Sequence, residues 1–475
     1  MKRALQAVGL LPALAFSPQV LAADLLVPQD YPTIQSAVDA AASGDRILLA
    51  PGSYIEAVVI DDIQLVLEGT AGAAGTELAG AGDGEAAFLI TLAGAGAELE
   101  VRGLTVSGGF GQAGSLGAGP GGGILVDGAS LTVRESRFVG NAGIHGGAIQ
   151  VVDGSLAVHD SLFEGNQALH GGAIYLELSS ASITGSTFAI NEATNFGGAV
   201  AVFQGDSQIT DTELADNTAG QFGGAVYAQH AVVDLERLLA VGNGRAEQGE
   251  HGGWSIQTFG GGAIYTAGSS GRLRDSRLLD NVAAAGTGVY IAGDGEIEVI
   301  NNLIAGNGAE CNCGQGAVYA NASSPVLINN TIADNGGVLG LFTTYNAFPT
   351  VRNTIVAGRS EGSEIFAAVG GNGLSNVDFS LLQGEPGGVD LGENVLVVES
   401  FPLLDLDNDY APLEGSMAID AGLNEALPGD ITTDLLGNAR IVETSGAGPR
   451  VDLGAIEFQS EPIPDRISHQ DFTSR

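Results

Sequence analysis

Positive charge is what this sequence most lacks. It has 17 Lys+Arg against 56 Asp+Glu, a formal net charge of −39, and its one lysine is Lys2. Nucleic-acid binding draws on Lys and Arg to neutralise phosphates, so that class of partner is excluded. Cysteine is nearly absent too. Cys311 and Cys313 stand alone in one short stretch, so no disulfide framework holds the fold. They form either a strained local disulfide or two free thiols. The nearest histidine in sequence is His251, which leaves the pair too few ligands for a metal site. No apolar run approaches the ~20 residues that span a bilayer as a helix.

Glycine is abundant instead, 74 residues of 475, without a G-X-Y period, so collagen is excluded. Hydrophobic residues make up 44% of the chain and mean hydropathy is +0.22, which excludes disorder. Residues 1–22 have the form of a secretory signal: Lys2 and Arg3, an apolar run from Ala4 to Phe16, and small residues around Val20-Leu21-Ala22. Its removal leaves 15 basic and 56 acidic residues, a charge of −41. So acidic a surface is screened by high salt or divalent cations. The expected product is secreted, extracellular or periplasmic, and monomeric. The last residues, 461–475, form a polar tail with neither a hydrophobic anchor nor an autotransporter barrel, so release is favoured over attachment.

The middle of the chain repeats. Asn141, Asn166, Asn191, Asn217, Asn243, Asn281, Asn307 and Asn335 follow one another at spacings of 25, 25, 26, 26, 38, 26 and 28. Apolar residues lie three and eight positions before each, and pairs such as GGAI at 146, 171 and 261 or GGAV at 197 and 223 follow. A short period of small and β-branched residues with Gly or Asn at corners means that each unit is one coil of a solenoid. Units of ~25 residues accommodate three strands of ~5–6 residues with turns. Asn suits a corner with positive φ, and stacked amides bond to one another. The reading is an all-β parallel β-helix, with coils ~4.8 Å apart and right-handed crossovers.

Open strand edges at the ends of such a helix need covering. Thr33 has the character of an N-cap, Ile34, Ala37, Val38 and Ala41 share one face, and Gly44 stops the turn, so residues 33–43 are expected to cap the first coil. The β-helix is assigned to 23–400 with an insertion at 244–260, and a C-terminal capping module to 401–460. The opening YPTIQSAVDAAASGDRILLAPGSY resembles the start of pectin-lyase-like right-handed β-helix proteins. The F-x-x-N…GGAI units from Phe138 resemble polymorphic outer-membrane protein repeats. Residues 401–458, with SMAIDAG, TDLLGNAR and VDLGAIEF, resemble the end of choice-of-anchor Q surface proteins. These resemblances imply the fold and export, and are silent on reaction.

Alternation assigns faces. Ile149, Ile174, Val200, Val226, Ile264, Val289 and Val318 point to the core, which turns Gln150, Tyr175, Ala201, Tyr227, Tyr265, Tyr290 and Tyr319 outward. Small neighbours predict that this tyrosine strip is open, either as a packing ladder or as a platform for sugar rings, with Tyr227, Tyr265, Tyr290 and Tyr319 as binding residues. On another strand Asp234 and Glu236 are followed by Arg272 and Arg274, then Glu298, around the insertion that holds His251 and the only tryptophan, Trp254. This is either a row of exposed ion pairs or a saccharide site in which Trp254 stacks on the sugar. His145 and His170 precede GG, where Phe196, Phe222 and Phe259 take equivalent places, so packing explains them. Asp405, Asp407 and Asp409 resemble the start of a Ca²⁺ loop without its glycine and terminal glutamate, and read as a turn with loose Ca²⁺ binding.

The expected function is an exported surface or extracellular protein that binds a polysaccharide or cell-envelope glycan. It requires no cofactor, and Ca²⁺ is a compatible ion. The alternative is a polysaccharide lyase or glycoside hydrolase that uses Asp234, Glu236, Arg272, Arg274 and His251 as catalytic groups.

Overall fold

A computed structural model describes residues 22–81, 88–110, 122–244, 258–308, 316–336, 339–358, 365–367, 375–384, 386, 389–442 and 448–459. The leader, His251, Trp254, the two cysteines and the polar tail lie outside the described residues. Each coil runs through three short strands, and equivalent strands of successive coils pair in parallel. They make sheet A, with 15 strands from Asp24–Val27 to Val389–Leu391, sheet B, with 14 from Gly52–Ile55 to Leu396–Val398, and sheet C, with 12 from Val58–Asp61 to Ile365–Ala367.

The register follows the sequence period. Val133, Val158 and Ile183 pair in sheet A, Phe138, Phe163 and Phe188 in sheet B, and Ile149, Ile174 and Val200 in sheet C. All are fully buried in one continuous core. The phenylalanines stack face to face with centroids 4.9 and 4.6 Å apart. One residue type per coil position therefore becomes one column of like side chains along the axis. That is the physical content of the repeat.

The asparagine column lies inside the wall. Asn141 to Asn335 are each at most 2% exposed. Asn166 Nδ2 donates to Asn191 Oδ1 at 2.9 Å and to the Phe138 carbonyl at 3.0 Å, and Asn191 repeats the pattern onto Asn217 and Phe163. The positive φ expected at these asparagines falls one position earlier, on Gly140, Gly165, Ile190, Asp216 and Gly242. The left-handed residue turns the chain, and the asparagine after it points its amide inward, where only another amide satisfies both donor and acceptor.

The glycine pairs have separate reasons. The first has positive φ, 58° at Gly146 and 68° at Gly223. The second lies against the next coil: a Cβ on Gly198 or Gly224 would stand 2.1 or 2.0 Å from the carbonyl oxygen of Gly224 or Gly262.

A helix spans Ile34–Ala40, capped by Thr33, which accepts from Ser36 N, with a reciprocal bond from Thr33 N to Ser36 Oγ. Ile34, Ala37 and Val38 join the core cluster of the first coils. The chain after residue 401 lies along the flank of the later coils. Leu435, Ala455 and Ile456 pack on Leu303 and Ala305, Leu404, Ala418 and Leu453 on Ile355 and Leu381, and Ile431 on Ile300 and Ile328. This C-terminal strap covers the outer faces of sheets A and B where they meet.

Candidate functional site: an aromatic column and a charged strip

Tyr175, Ala201, Tyr227, Tyr265, Tyr290, Tyr319 and Phe342 follow one another in register on the outer face of sheet C. The face is not the open strip that the small neighbours predict. Tyr175, Tyr227 and Tyr319 are only 5–6% exposed, and Tyr265 and Tyr290 are half-buried. The rings follow one another along the axis, Tyr227 and Tyr265 stacked at 5.3 Å, Tyr265 and Tyr290 tilted by 34° at 4.9 Å, and Tyr290 and Tyr319 tilted by 36° at 4.5 Å. Each ring therefore covers much of its neighbour's face. Where Ala201 interrupts the tyrosines, Phe203 fills the gap from the neighbouring position, 5.3 Å from Tyr175 and 5.3 Å from Tyr227.

A second column flanks the first. His145, His170, Phe196 and Phe222 pair in register and lie against the tyrosines: His145–Tyr175 at 4.5 Å, Phe196–Tyr227 at 4.7 Å, Phe222–Tyr265 at 4.6 Å. The next member is Gly260, not Phe259, and then Ala285. The third glycine in FGGGAI shifts the count by one, which leaves Phe259 outside the column and 61% exposed. Both histidines are packing groups. Burial lowers the His145 ring and brings His170 down to about 4, and their buried Nδ1 atoms have no partner.

The phenol oxygens reach the rim. Tyr175 donates to Glu177 at 3.3 Å and Tyr227 to Gln229 at 3.1 Å, the Tyr290 oxygen accepts from Asn321 at 2.7 Å, and Tyr319 shares a bond of 3.0 Å with Thr344. Burial pushes the phenols of Tyr175, Tyr227, Tyr265 and Tyr290 up, so they remain hydrogen-bonding hydroxyls rather than bases.

The charged strip is on sheet A, where Asp234 pairs in register with Arg272, Glu236 with Arg274, and Arg272 with Glu298. Its groups satisfy one another. Arg272 donates to Glu298 at 2.7 Å and to Asp430 of the strap at 2.8 Å. Arg274 donates to Glu236 at 2.7 Å, and Glu236 also meets Arg237. Asp234 is exposed. Of the Ca²⁺ candidates, Asp409 is bound to Arg277 at 2.7 and 3.0 Å, and Asp405 accepts the backbone N–H of Asp407 at 3.2 Å. The turn that carries these three residues is closed by backbone bonds from Asn408 N and Tyr410 N to the Asp405 carbonyl. Among the described residues no group of three His, Cys, Asp or Glu is placed to hold a metal ion.

Sequence reasoning missed the polar lock beneath the strap. Arg440 and Glu457, each 1% exposed, are joined at 2.8 Å, and Arg440 also reaches Asn301 Oδ1 at 2.7 Å. Asp452 accepts from the backbone N–H of Asp420 at 2.7 Å and of Phe458 at 2.6 Å. Asp434 accepts from Leu436 at 2.9 Å and Asn438 at 2.7 Å. Burial raises Asp452 to about 6 and Glu457 to about 8. A signal was present: outward positions of the late coils become apolar, at Ile300, Leu303, Ile328, Ile355 and Leu381, and a strand apolar on both sides is covered on both.

Residues 252–389 match the family described as a right handed beta helix region, and residues 160–177 match the Chlamydia polymorphic membrane protein repeat. The solenoid is a right-handed parallel β-helix. No curated protein matches the chain. Among solved structures it is similar to the periplasmic alginate epimerase AlgG at 11% identity over 74% of this chain and 76% of that one, TM-score 0.41. It is similar to XylC in complex with xylose at 8% over 90% and 95%, TM-score 0.40, and to the A-module of the Azotobacter vinelandii mannuronan C-5 epimerase AlgE6 at 15% over 77% and 92%, TM-score 0.39. Among the described residues no helix is long and apolar enough to cross a membrane.

Proposed function

We propose that this chain is an exported β-helix that binds a polysaccharide or cell-envelope glycan on the outer face of sheet C and performs no chemistry on it. The observation that carries this reading is the pair of aromatic columns, Tyr175 to Phe342 and His145 to Phe222, on a face turned away from the core. The fold does not need it: sheets A and B close the same solenoid with polar or strap-covered outer faces. Ring edges and phenol oxygens at the rim offer the mixture of apolar surface and hydrogen bonding that suits sugars. Phe259 supplies an exposed ring beside it. The mutual pairing of Glu236, Arg272, Arg274, Glu298 and Asp430 supports a structural role for the charged strip over the lyase or hydrolase reading. No cofactor is needed, and Ca²⁺ acts as a counter-ion.

The test is a glycan panel read for retention and for new reducing or unsaturated ends. Retention without products, weakened in Phe259→Ala and Tyr290→Phe, is the expected result. Products that disappear in Asp234→Asn or Arg274→Ala would overturn it in favour of catalysis.

A further inference from the structure

Resting on that reading, we infer that the glycan taken by sheet C is an uncharged, hydroxyl-rich polysaccharide laid parallel to the helix axis, and not a polyuronate or sulfated polymer.

The first reason is where the cations are. None of the 12 strands of sheet C contains arginine or lysine, while sheet A carries Arg46, Arg102, Arg134, Arg272, Arg274 and Arg352, and sheet B carries Arg137 and Arg277. Those arginines face carboxylates of their own or an adjacent coil or of the strap, such as Asp24, Glu100, Glu164, Glu298 and Asp409. A polyanion on sheet C would therefore meet no compensating charge. It would instead meet the exposed Asp61, Asp127 and Glu177 of sheet C on a chain of net charge −39. Like charges at such separations repel unless screened or bridged by cations.

The second reason is what borders the rings. Gln150, Gln229 and Asn321 lie on sheet C itself, and Asn195 and Gln221, bonded at 3.0 Å, lie beside Phe196 and Phe222. A primary amide donates and accepts, as a sugar hydroxyl does, so amides beside aromatic edges match a neutral ring in both polarity and hydrogen bonding. The direction follows from the stacking. Aromatic centroids repeat at 4.5–5.3 Å from Tyr227 to Phe342. A polymer along the axis meets an aromatic ring at every coil from Tyr227 to Phe342, so weak contacts accumulate, whereas one laid across meets a single coil.

The experiment is affinity electrophoresis of the whole protein in gels containing β-glucan, xylan, mannan, polygalacturonate or alginate, each with EDTA and with Ca²⁺. Retardation by at least one neutral polymer in EDTA, unchanged by high salt because uncharged contacts are not screened, is the expected result. The double variant Phe259→Ala, Gln229→Ala, which changes only rim side chains, weakens that retardation by about tenfold, equivalent to ~1.4 kcal/mol. Retardation by polygalacturonate or alginate in EDTA exceeding that by every neutral polymer overturns the inference and leaves glycan binding standing. Retardation by none of the polymers, with or without Ca²⁺, overturns both.

Discussion

Replacing Asn217 with alanine tests the column that holds the coils in register. Its Oδ1 accepts from Asn191 N at 3.1 Å and Asn191 Nδ2 at 2.9 Å, and its Nδ2 donates to Phe188 O at 2.9 Å and Asn243 Oδ1 at 3.0 Å. After Asn217→Ala the neighbours keep part of their bonding. Asn191 Nδ2 retains the Phe163 carbonyl, and Asn243 Oδ1 retains the backbone N–H of residue 217. The Asn191 N–H loses the one acceptor it has inside a fully buried wall. An orphaned buried donor costs ~1–3 kcal/mol and each of the three other bonds lost ~1 kcal/mol, so the expected loss is about 4–6 kcal/mol. Asn217→Asp should behave differently with pH. A carboxylate there faces Phe188 O and Asn243 Oδ1 with no proton to donate, so its folded-state pKa rises above the unfolded value of ~3.9. The variant is then closest to the parent at acid pH and loses stability as pH rises through that raised pKa. Urea unfolding followed by circular dichroism, with amide exchange at Asn191, measures both effects. Asn195→Ala, at a half-buried surface position, is the control. A loss below about 1 kcal/mol in the alanine variant, or equal losses in the two variants at every pH, would refute the argument.

The strap should loosen in alkali. Glu457 and Asp452 have folded pKa values raised to about 8 and about 6 by burial, so the folded state holds protons that the unfolded chain releases. Protection of residues 401–459 from exchange is expected to fall as pH rises through 6 and again through 8. Glu457→Gln should abolish the upper step, and a flat profile from pH 5 to 9 contradicts the reasoning. Gly224→Ala should cost ~3 kcal/mol or prevent folding, since its Cβ would lie 2.0 Å from Gly262 O, whereas Gly128→Ala, with φ 63° and open space, should cost only ~1–2 kcal/mol. Equal melting temperatures for those two variants would sink the close-approach account. Arg277→Ala removes the partner of Asp409, and because both side chains are about a quarter exposed, the cost should be ~1 kcal/mol and confined to strap protection.

Much of this fold is legible one residue at a time. A period near 25 with Asn, Phe and Gly-Gly at constant offsets leaves few arrangements but stacked coils, because every unit must bury the same face against its copy. The helix at Ile34–Ala40 is legible from Thr33 and the apolar spacing that follows it. The mistakes came where one coil depends on a neighbour for its geometry. Phe259 counts as the equivalent of Phe222 until the strand register gives that place to Gly260. Positive φ assigned to the asparagines belongs to the residues before them.

The coil, its inward and outward faces, and the columns that stacking produces all follow from local alternation and a repeated spacing along the chain. How open those columns are depends on packing between coils. The tyrosines are outward as alternation requires, yet Tyr175 and Tyr227 are buried because rings from adjacent coils stack on them. Arg272 and Arg274 are outward too, yet besides Glu298 and Glu236 of adjacent coils they meet Asp430 of the strap, 158 positions from Arg272 in sequence. Exposure and charge pairing depend on atoms brought together by the path of the whole chain, and spacing along the chain carries no record of that distance.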